Sequence, residues 1–260
     1  MIYKVCEIAF DIPDTITMDI WKIFLEESCS LVDCYIEILL PEYVDGNMDF
    51  FTLDRGNYIS LRYESELMFV MRNWKMIKIV RPINNKMAYM FLIKIFYTHA
   101  VQRHMIQMHS SLIATTDNRG LMFLGPSGIS KTTQAELWHK YRDALIINGD
   151  IVFVQETEDA FLGWGTPWHG SSPYCENTNV PVEALIVLKQ APENSIRELT
   201  GFEKVSEVSN SVFYPRWLEN GMELCLETLD HLLSKLPVYE LRCRPDEDAV
   251  RLTEETIFKN

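Results

Sequence analysis

Gly125-Pro126-Ser127-Gly128-Ile129-Ser130-Lys131-Thr132-Thr133 is the stretch on which the reading of this chain turns. An apolar run, Leu121-Met122-Phe123-Leu124, precedes it, and Gln134-Ala135-Glu136-Leu137-Trp138 follows with helical character. Strand, glycine-bearing loop, Lys-Thr and helix, in that order, make the arrangement of a P-loop. In such a loop the backbone N–H groups and the helix N-terminus converge on phosphate oxygens. Gly125 to Thr133 would cradle the phosphates of ATP, with Lys131 reaching the β- and γ-phosphates and the Thr132 hydroxyl ligating Mg²⁺. Ser130 stands where the pattern G-x-x-x-x-G-K-[ST] has its second glycine. If that position needs φ > 0, a serine costs about 1–2 kcal/mol there. A chance glycine-serine turn and a folded loop that has lost its nucleotide are the competing readings.

Working outward, residues 105–115 read as a strand, and Thr116-Asp117-Asn118-Arg119-Gly120 is the turn that delivers the loop strand. Beyond the loop helix, residues 144–147 read as a buried strand ending in Asn148-Gly149-Asp150, and residues 151–154 as another short strand. An acid at the end of an apolar strand after a P-loop is where a metal-associated carboxylate belongs, which points to Asp150. Asn-Gly-Asp is also a common turn sequence, so a turn aspartate is the alternative. Residues 163–174 collect Gly, Pro, Trp and His, which suits an ordered loop near a ligand. In that loop His169 reads equally as a ligand contact or as packing. Residues 182–188 form a strand, and Thr200-Gly201-Phe202-Glu203 is a capping box opening a helix. A helix over 224–236, a strand over 238–243 and a terminal helix over 246–257 complete the pattern. Alternating strands and helices from residue 105 onward indicate an α/β domain.

Residues 1–85 are β-rich, with strands at 3–12, 34–40, 48–53 and 58–63 and turns at Asp45-Gly46-Asn47 and Arg55-Gly56-Asn57. Residues 19–28 suit a short helix with Trp21, Phe24 and Leu25 on one face. The basic run Arg72, Lys75, Lys78 and Arg81 reads as the solvated edge of a sheet, or as a docking edge for an acidic partner. Pro82-Ile83-Asn84-Asn85 marks a domain junction, giving a domain over 1–85 and a second over 86–260. After the junction, residues 87–103 have helical apolar spacing and are expected to pack under the second domain.

A chain of 260 residues, 47% hydrophobic and 23% charged, has ample material for such cores. Its net charge of −13 argues against a nucleic-acid or anionic-membrane surface, so phosphate would have to be captured locally. The start of the chain shows no secretory signal. The most apolar segment, 87–101, is interrupted by Lys94 and His99 and is too short to span a bilayer. Six cysteines, with no C-x-x-C pair and no zinc spacing, read as reduced thiols of a cytoplasmic protein.

His109-Ser110-Ser111, a short spacer, Gly-x-Ser-Gly-x-x-Lys-Thr-Thr and a strand ending in Asp150 together resemble the C-terminal domain of HPr kinase/phosphorylase. That domain shares its P-loop arrangement with phosphoenolpyruvate carboxykinases. Gly165-Thr166-Pro167-Trp168-His169-Gly170, residues 182–190 and residues 194–199 look like a divergent branch of HPr-kinase-like proteins encoded with ribosomally made peptides, the lasso-peptide kinases among them. The resemblance covers roughly residues 86–257. It implies an α/β P-loop domain of HPr kinase/PEP carboxykinase type, preceded here by a smaller β-rich domain. It also implies that His109 lies near the phosphates, where a core histidine is the alternative. The family usually ends the next strand with two adjacent aspartates, as catalytic base and metal-associated acid. Here the pair aligns with Gly149-Asp150, which leaves Asp150 for base, metal or both. The family's downstream Glu-x-Arg-Gly-type signature is not seen in its usual form, so the resemblance does not carry HPr over as the substrate.

The leading expectation is a cytoplasmic kinase using ATP and Mg²⁺ on a serine hydroxyl of a peptide or small protein, with no nucleic-acid or membrane partner and self-association left open. Asp150, His109 and Lys131 are its candidate catalytic residues, and Thr132 and Asp150 its metal ligands. Arg197 and Arg216 are candidate phosphate clamps, with surface ion pairs as the alternative. Glu156, Asp159 and Glu176 are the next acids should Asp150 not serve. Two rivals stand beside this reading. One is a non-catalytic nucleotide- or peptide-binding module with a degenerate P-loop, and the other a small-molecule kinase acting on a free hydroxy amino acid.

Overall fold

The first apolar run of the chain folds back on itself. Residues 3–12, one strand by pattern, form a hairpin of β1 (Ile2–Val5) and β2 (Ile8–Asp11) in the computed structural model, which describes residues 1–39, 42–44, 48–50, 57–63, 66–80 and 83–258. Cys6 and Glu7 make the two-residue turn with φ of 48° and 63°. Both signs match a type I′ turn, which normally takes Asn-Gly. No glycine announced it; instead Cys6 is buried and Lys4 pairs with Glu7 across the turn.

By its contacts the chain divides into two units, Met1–His99 and Ala100–Asn260. The first also holds β3 (Cys34–Leu39), β4 (Glu42–Val44), β5 (Met48–Phe50), β6 (Tyr58–Tyr63), β7 (Glu66–Met71) and β8 (Met76–Val80). Six of these strands form one sheet in the order β1-β2-β3-β8-β7-β6, while β4 and β5 pair separately. Residues 19–24 form a 3₁₀-helix that buries Trp21 and Phe24 but leaves Leu25 exposed, so the expected apolar face is shorter by one residue. The strand residues 51–53, both expected glycine turns except Asn57, and Arg81 lie outside the described residues. The rest of the basic run belongs to the β7–β8 hairpin. β8 is an interior strand rather than an edge, and Lys78 on it meets Glu37 of β3 at 2.9 Å.

Helix α1 (Asn85–Val101) is capped by Asn84, whose Oδ1 accepts the Met87 N–H at 2.9 Å. It spends its length in the first unit, up to His99, instead of beginning the second. Phe96 meets Phe10 of β2 at a tilt and His99 meets it edge to face, and the His99 ring bonds the Trp74 carbonyl at 3.1 Å. Among the described residues no helix is long and apolar enough to cross a membrane.

The second unit alternates strands and helices as the pattern predicts. Its elements are β9 (Met105–Ala114), β10 (Gly120–Leu124), α2 (Lys131–Arg142), β11 (Leu145–Asn148), β12 (Ile151–Glu156), β13 (Phe161–Trp164) and β14 (Asn179–Gln190), followed by β15 (Ser195–Glu198), α3 (Gly201–Ser209), β16 (Val212–Phe213), α4 (Gly221–Lys235), β17 (Val238–Cys243) and α5 (Glu247–Phe258). The fold is therefore mixed α/β with two main sheets. Strand β9 is the hub of the second one. Its first half pairs with β12 and β16, its second half with β10 and β11. Strand β14 pairs with β13 at its start and with β10 and β17 along the rest. The pairings β9–β12–β13–β14–β10–β9 thus close a ring of five strands. Both faces of β9 and β10 are buried, which is why their sequences are continuous apolar runs rather than alternating ones. Helices α2 and α5 cover one face through Ala135, Trp138, Ala249 and Val250, packed on Ile113, Phe123, Ile186 and Leu241.

The capping box at the start of α3 is not made. Thr200 is the N-cap residue but its hydroxyl oxygen accepts no cap bond from the helix N–H groups, and the Glu203 carboxylate is taken by the Arg197 guanidinium instead. The guanidinium gives the carboxylate two charge-assisted bonds where the cap would give it one.

Candidate functional site

The loop between β10 and α2 is wound by three left-handed residues. Gly125 has φ 138°, Gly128 φ 81° and Ser130 φ 85° with ψ 34°. Ser130 therefore does occupy a conformation that glycine takes freely and that costs an L-residue about 1–2 kcal/mol. The same conformation removes Ser130 as a cap, and α2 begins with no side-chain cap at all. Gln134 supplies the first N–H to reach back into the loop, bonding Ser130 O at 3.0 Å. The N–H groups of Lys131, Thr132 and Thr133 precede that ladder, and the helix dipole adds partial positive charge at the same place. Such a start favours an anion.

Opposite the loop, β11 and β12 run in line along β9, interrupted at Gly149-Asp150. The chain does not reverse there, so Asn148-Gly149-Asp150 is a break within one strand line and not a turn. Asn148, fully buried, builds the break. Its Oδ1 accepts the Asp150 and Ile151 N–H groups at 2.9 and 3.1 Å, while its Nδ2 donates to the Thr166 carbonyl at 3.0 Å. The Asp150 carbonyl meanwhile accepts the Ser110 N–H at 2.9 Å. The interruption swings the Asp150 side chain out of the sheet toward the loop.

There it meets His109 of β9, whose Nε2 lies 3.1 Å from Oδ1. Lys131 is buried, and its Nζ donates to the Gly125 and Pro126 carbonyls at 3.1 and 3.3 Å. Burial lowers its pKa below the usual lysine value, against a smaller opposite pull from Asp150. The Thr132 hydroxyl donates to the Gly149 carbonyl at 3.2 Å, and the buried Ser111 hydroxyl donates to the Lys131 carbonyl at 2.9 Å, tying strand and helix together.

The loop over 169–172 closes the site from a third side. A Cβ built on Gly149 would lie 1.9 Å from the Ser172 Oγ, so Ser172 fills the space where a second carboxylate would emerge. Gly170, at φ 60°, packs its backbone on Asp150, where a Cβ would come within 2.3 Å of Oδ2. His169 turns its Nδ1 to the Ser172 carbonyl and so braces this loop. Together these groups surround a cavity of about 320 Å³ lined by His109, Ser127, Gly128, Ser130, Lys131, Thr132, Thr133, Gly149, Asp150, Ser171 and Ser172. An ammonium, free amides, hydroxyls and one histidine-bonded carboxylate face it. That donor set suits a phosphorylated anion together with a hard cation.

No family model and no curated protein matches the chain. Among solved structures it is similar to the HPr(Ser) kinase/phosphatase from Coxiella burnetii, at a TM-score of 0.35 and 10% sequence identity, over 59% of this chain and 88% of that one. At that score the likeness is coarse, and the chemistry of the site stands on its own residues.

Eight of the candidate residues, His109, Ser127, Gly128, Ser130, Lys131, Thr132, Thr133 and Asp150, line this one cavity. Gly125 and Pro126 take part through the carbonyls that hold Lys131, while Ile129 turns its side chain away. Neither Arg197 nor Arg216 lines the cavity. Arg197 instead bonds Glu203 and, at 3.1 Å, the buried Glu240. Of the reserve acids, Glu156 is engaged by His231 at 2.8 Å and Lys235 at 3.1 Å, and neither Asp159 nor Glu176 reaches the site. Sequence reasoning missed Asn148 and Ser172. Asn148 had a signal, an amide directly after an apolar strand, while Ser172 had none beyond its place in the Gly-Pro-Trp loop.

Proposed function

We propose that the chain is an ATP-dependent kinase that phosphorylates a serine hydroxyl on a peptide or small protein. The observation that carries this reading is the meeting of Lys131, Thr132, His109 and Asp150 around one cavity at the uncapped start of α2. Phosphoryl transfer asks mainly for positioning and charge neutralisation, and this arrangement offers both. The amides of the loop and of α2 hold the phosphate oxygens. Lys131 turns from the Gly125 and Pro126 carbonyls to the β- and γ-phosphates. Asp150, oriented by His109, accepts the hydroxyl proton as the acceptor oxygen bonds the γ-phosphorus and the bond to the bridging oxygen breaks, releasing ADP. The Thr132 hydroxyl and the Asp150 carboxylate are hard oxygen donors that fit Mg²⁺, which when bound supplies further neutralisation of the phosphates. The loop type and the order of elements fit the HPr-kinase-like reading of the sequence.

A second reading, a nucleotide-binding module without catalysis, draws support from Gly149, where Ser172 replaces the family's second carboxylate. The two separate in one experiment. ADP release from Mg-ATP is measured with a library of serine-bearing peptides, with free serine and with no acceptor, for wild type and Asp150→Asn. Release that needs a peptide and falls by about 10²-fold or more in Asp150→Asn supports the kinase. Release with free serine alone moves the acceptor to a small molecule, and ATP binding with no release under any condition leaves the module.

A further inference from the structure

The helices on either side of β16 leave apolar surface open between them. Gly201, Val205 and Ser209 recur at four-residue spacing along one face of α3, and Leu226, Leu229 and Leu233 share one face of α4. Both faces line a cavity of about 460 Å³. Leu229 is buried at its floor, but Val205 and Leu226 are 45% and 48% exposed, and Phe202 of α3 is 85% exposed. Among the described residues five large apolar side chains of the second unit are exposed. Four of them, these three and Phe213, fall in α3, β16 and α4. Single exposed apolar residues need no explanation, whereas a concentration around a cavity marks a contact surface. Two exposed carboxylates, Glu198 and Asp230, line the same cavity, and neither is in a salt bridge among the described residues. Lys204, the cation of the lining, donates instead to the Leu236 carbonyl at 2.7 Å.

We infer that this groove docks a recognition segment of the acceptor peptide, one with leucine-like side chains flanked by lysine or arginine. The inference rests on the peptide-kinase reading of the first cavity and names the substrate class which that reading leaves open. Charge selects the flanks. A cation between Glu198 and Asp230 meets two unpaired acids on a chain of net charge −13, where an acidic segment is repelled. Position selects the acceptor over other peptides. Ser209 lines the groove, and Ser211, two residues on, accepts the His109 N–H at 2.7 Å. Two residues of chain span at most about 7 Å, so this end of the groove lies close to the strand that carries His109. The exposed Phe213 continues the apolar surface there, its ring centroid 6.4 Å from that of His109. The nine residues of α3 are about 13 Å long, room for about four extended peptide residues. A segment lying along α3 therefore runs toward the His109–Asp150 pair, with its serine beyond the Ser209 end.

The test uses three synthetic peptides, each with one serine and the same spacer, whose docking segments are built from Leu and Lys, from Leu and Glu, or from Gln and Lys. Binding is read by fluorescence anisotropy without nucleotide, and KM and kcat by ADP release from Mg-ATP. Wild type should bind the Leu-Lys peptide about tenfold or more tightly than either of the others. Leu226→Asp should raise the KM for that peptide about tenfold, with kcat and the ATP affinity within about twofold of wild type. Asp230→Lys should weaken the Leu-Lys peptide and strengthen the Leu-Glu one. Equal wild-type binding of all three, or a preference that neither variant alters, overturns the groove even where the peptides are phosphorylated. Absence of binding by all three overturns it too, while the peptide library judges the kinase reading separately. The expected preference without ADP release supports the docking surface and counts against catalysis. A dimer in sedimentation that Leu226→Asp dissociates gives this face to a second copy of the chain and overturns the inference. Should Leu226→Asp not fold, Asp230→Lys, a charge reversal at an exposed position, decides by itself.

Discussion

Ser172 stands in the place of a side chain at Gly149: a Cβ on that glycine would lie 1.9 Å from the Ser172 Oγ and 2.4 Å from its Cβ. The two positions are linked sterically, so a side chain at 149 needs room that Ser172 occupies. Gly149→Asp should destabilise the protein by about 1–3 kcal/mol, the usual penalty of overpacking. Adding Ser172→Gly should recover most of that loss. Urea denaturation of the three variants measures both steps, and a Gly149→Asp protein as stable as wild type would mean the 169–172 loop yields freely.

Asn148 should be the most sensitive polar position of the site. Asn148→Leu strips the side-chain acceptor from the Asp150 and Ile151 N–H groups at once, while the Thr166 carbonyl keeps the Cys175 thiol. Each orphaned buried group costs about 1–3 kcal/mol, so unfolding should shift by at least that much. Thermal melting checks the stability. In material that stays folded, ADP release should fall while ATP affinity changes less, because Asp150 is displaced and the loop amides are not.

Ser130→Gly should stabilise the free protein by up to about 1–2 kcal/mol, because Ser130 sits at φ 85°. Its ATP affinity should stay within a few-fold of wild type if the serine loop is already formed. A gain well beyond tenfold would instead mark the natural loop as impaired and favour the non-catalytic module.

Lys131 sets a pH dependence with a definite sign. Its pKa in the free protein lies below the usual lysine value, chiefly from burial, whereas bound phosphate favours the ammonium and raises the pKa again. ATP affinity is therefore full below the free-protein pKa and weakens as pH rises through it, by at most about tenfold per pH unit. Lys131→Arg keeps its charge throughout and should flatten the profile. Lys131→Ala should lose affinity at every pH, as calorimetry across alkaline buffers would register.

Much of the second unit was legible because its signals are local. Buried strands on both faces give unbroken apolar runs, as in 105–114 and 120–124, and a loop that binds anions through backbone needs Gly, Lys and Thr at fixed spacing. The loop lysine and threonine and the strand-end Asp150 were readable for that reason, with only their mutual distances left open. The Cys6-Glu7 turn was not readable, because its positive φ values are sustained by burial and by a Lys4–Glu7 pair rather than by a turn residue. Strand β13 was hidden in the same way: its Gly163 and Trp164 read as loop, yet neighbouring β12 and β14 supply the hydrogen bonds that make them strand.

The amino-acid order by itself determined that a glycine-bearing loop ending in Lys-Thr lies between a buried strand and a helix, since local residue choice and apolar spacing suffice for that. Only the tertiary structure decided which carboxylate faces the loop, and that among the described residues it stands with His109 and no second acid lines the cavity. His109, Asp150 and Ser172 come from three separate segments, and their meeting depends on the pairing of β12 with β9 and on the Asn148 amide that breaks the strand. Steric exclusion at Gly149 is likewise a property of two chains of atoms brought together across 23 positions, from 149 to 172, which no spacing in the sequence encodes.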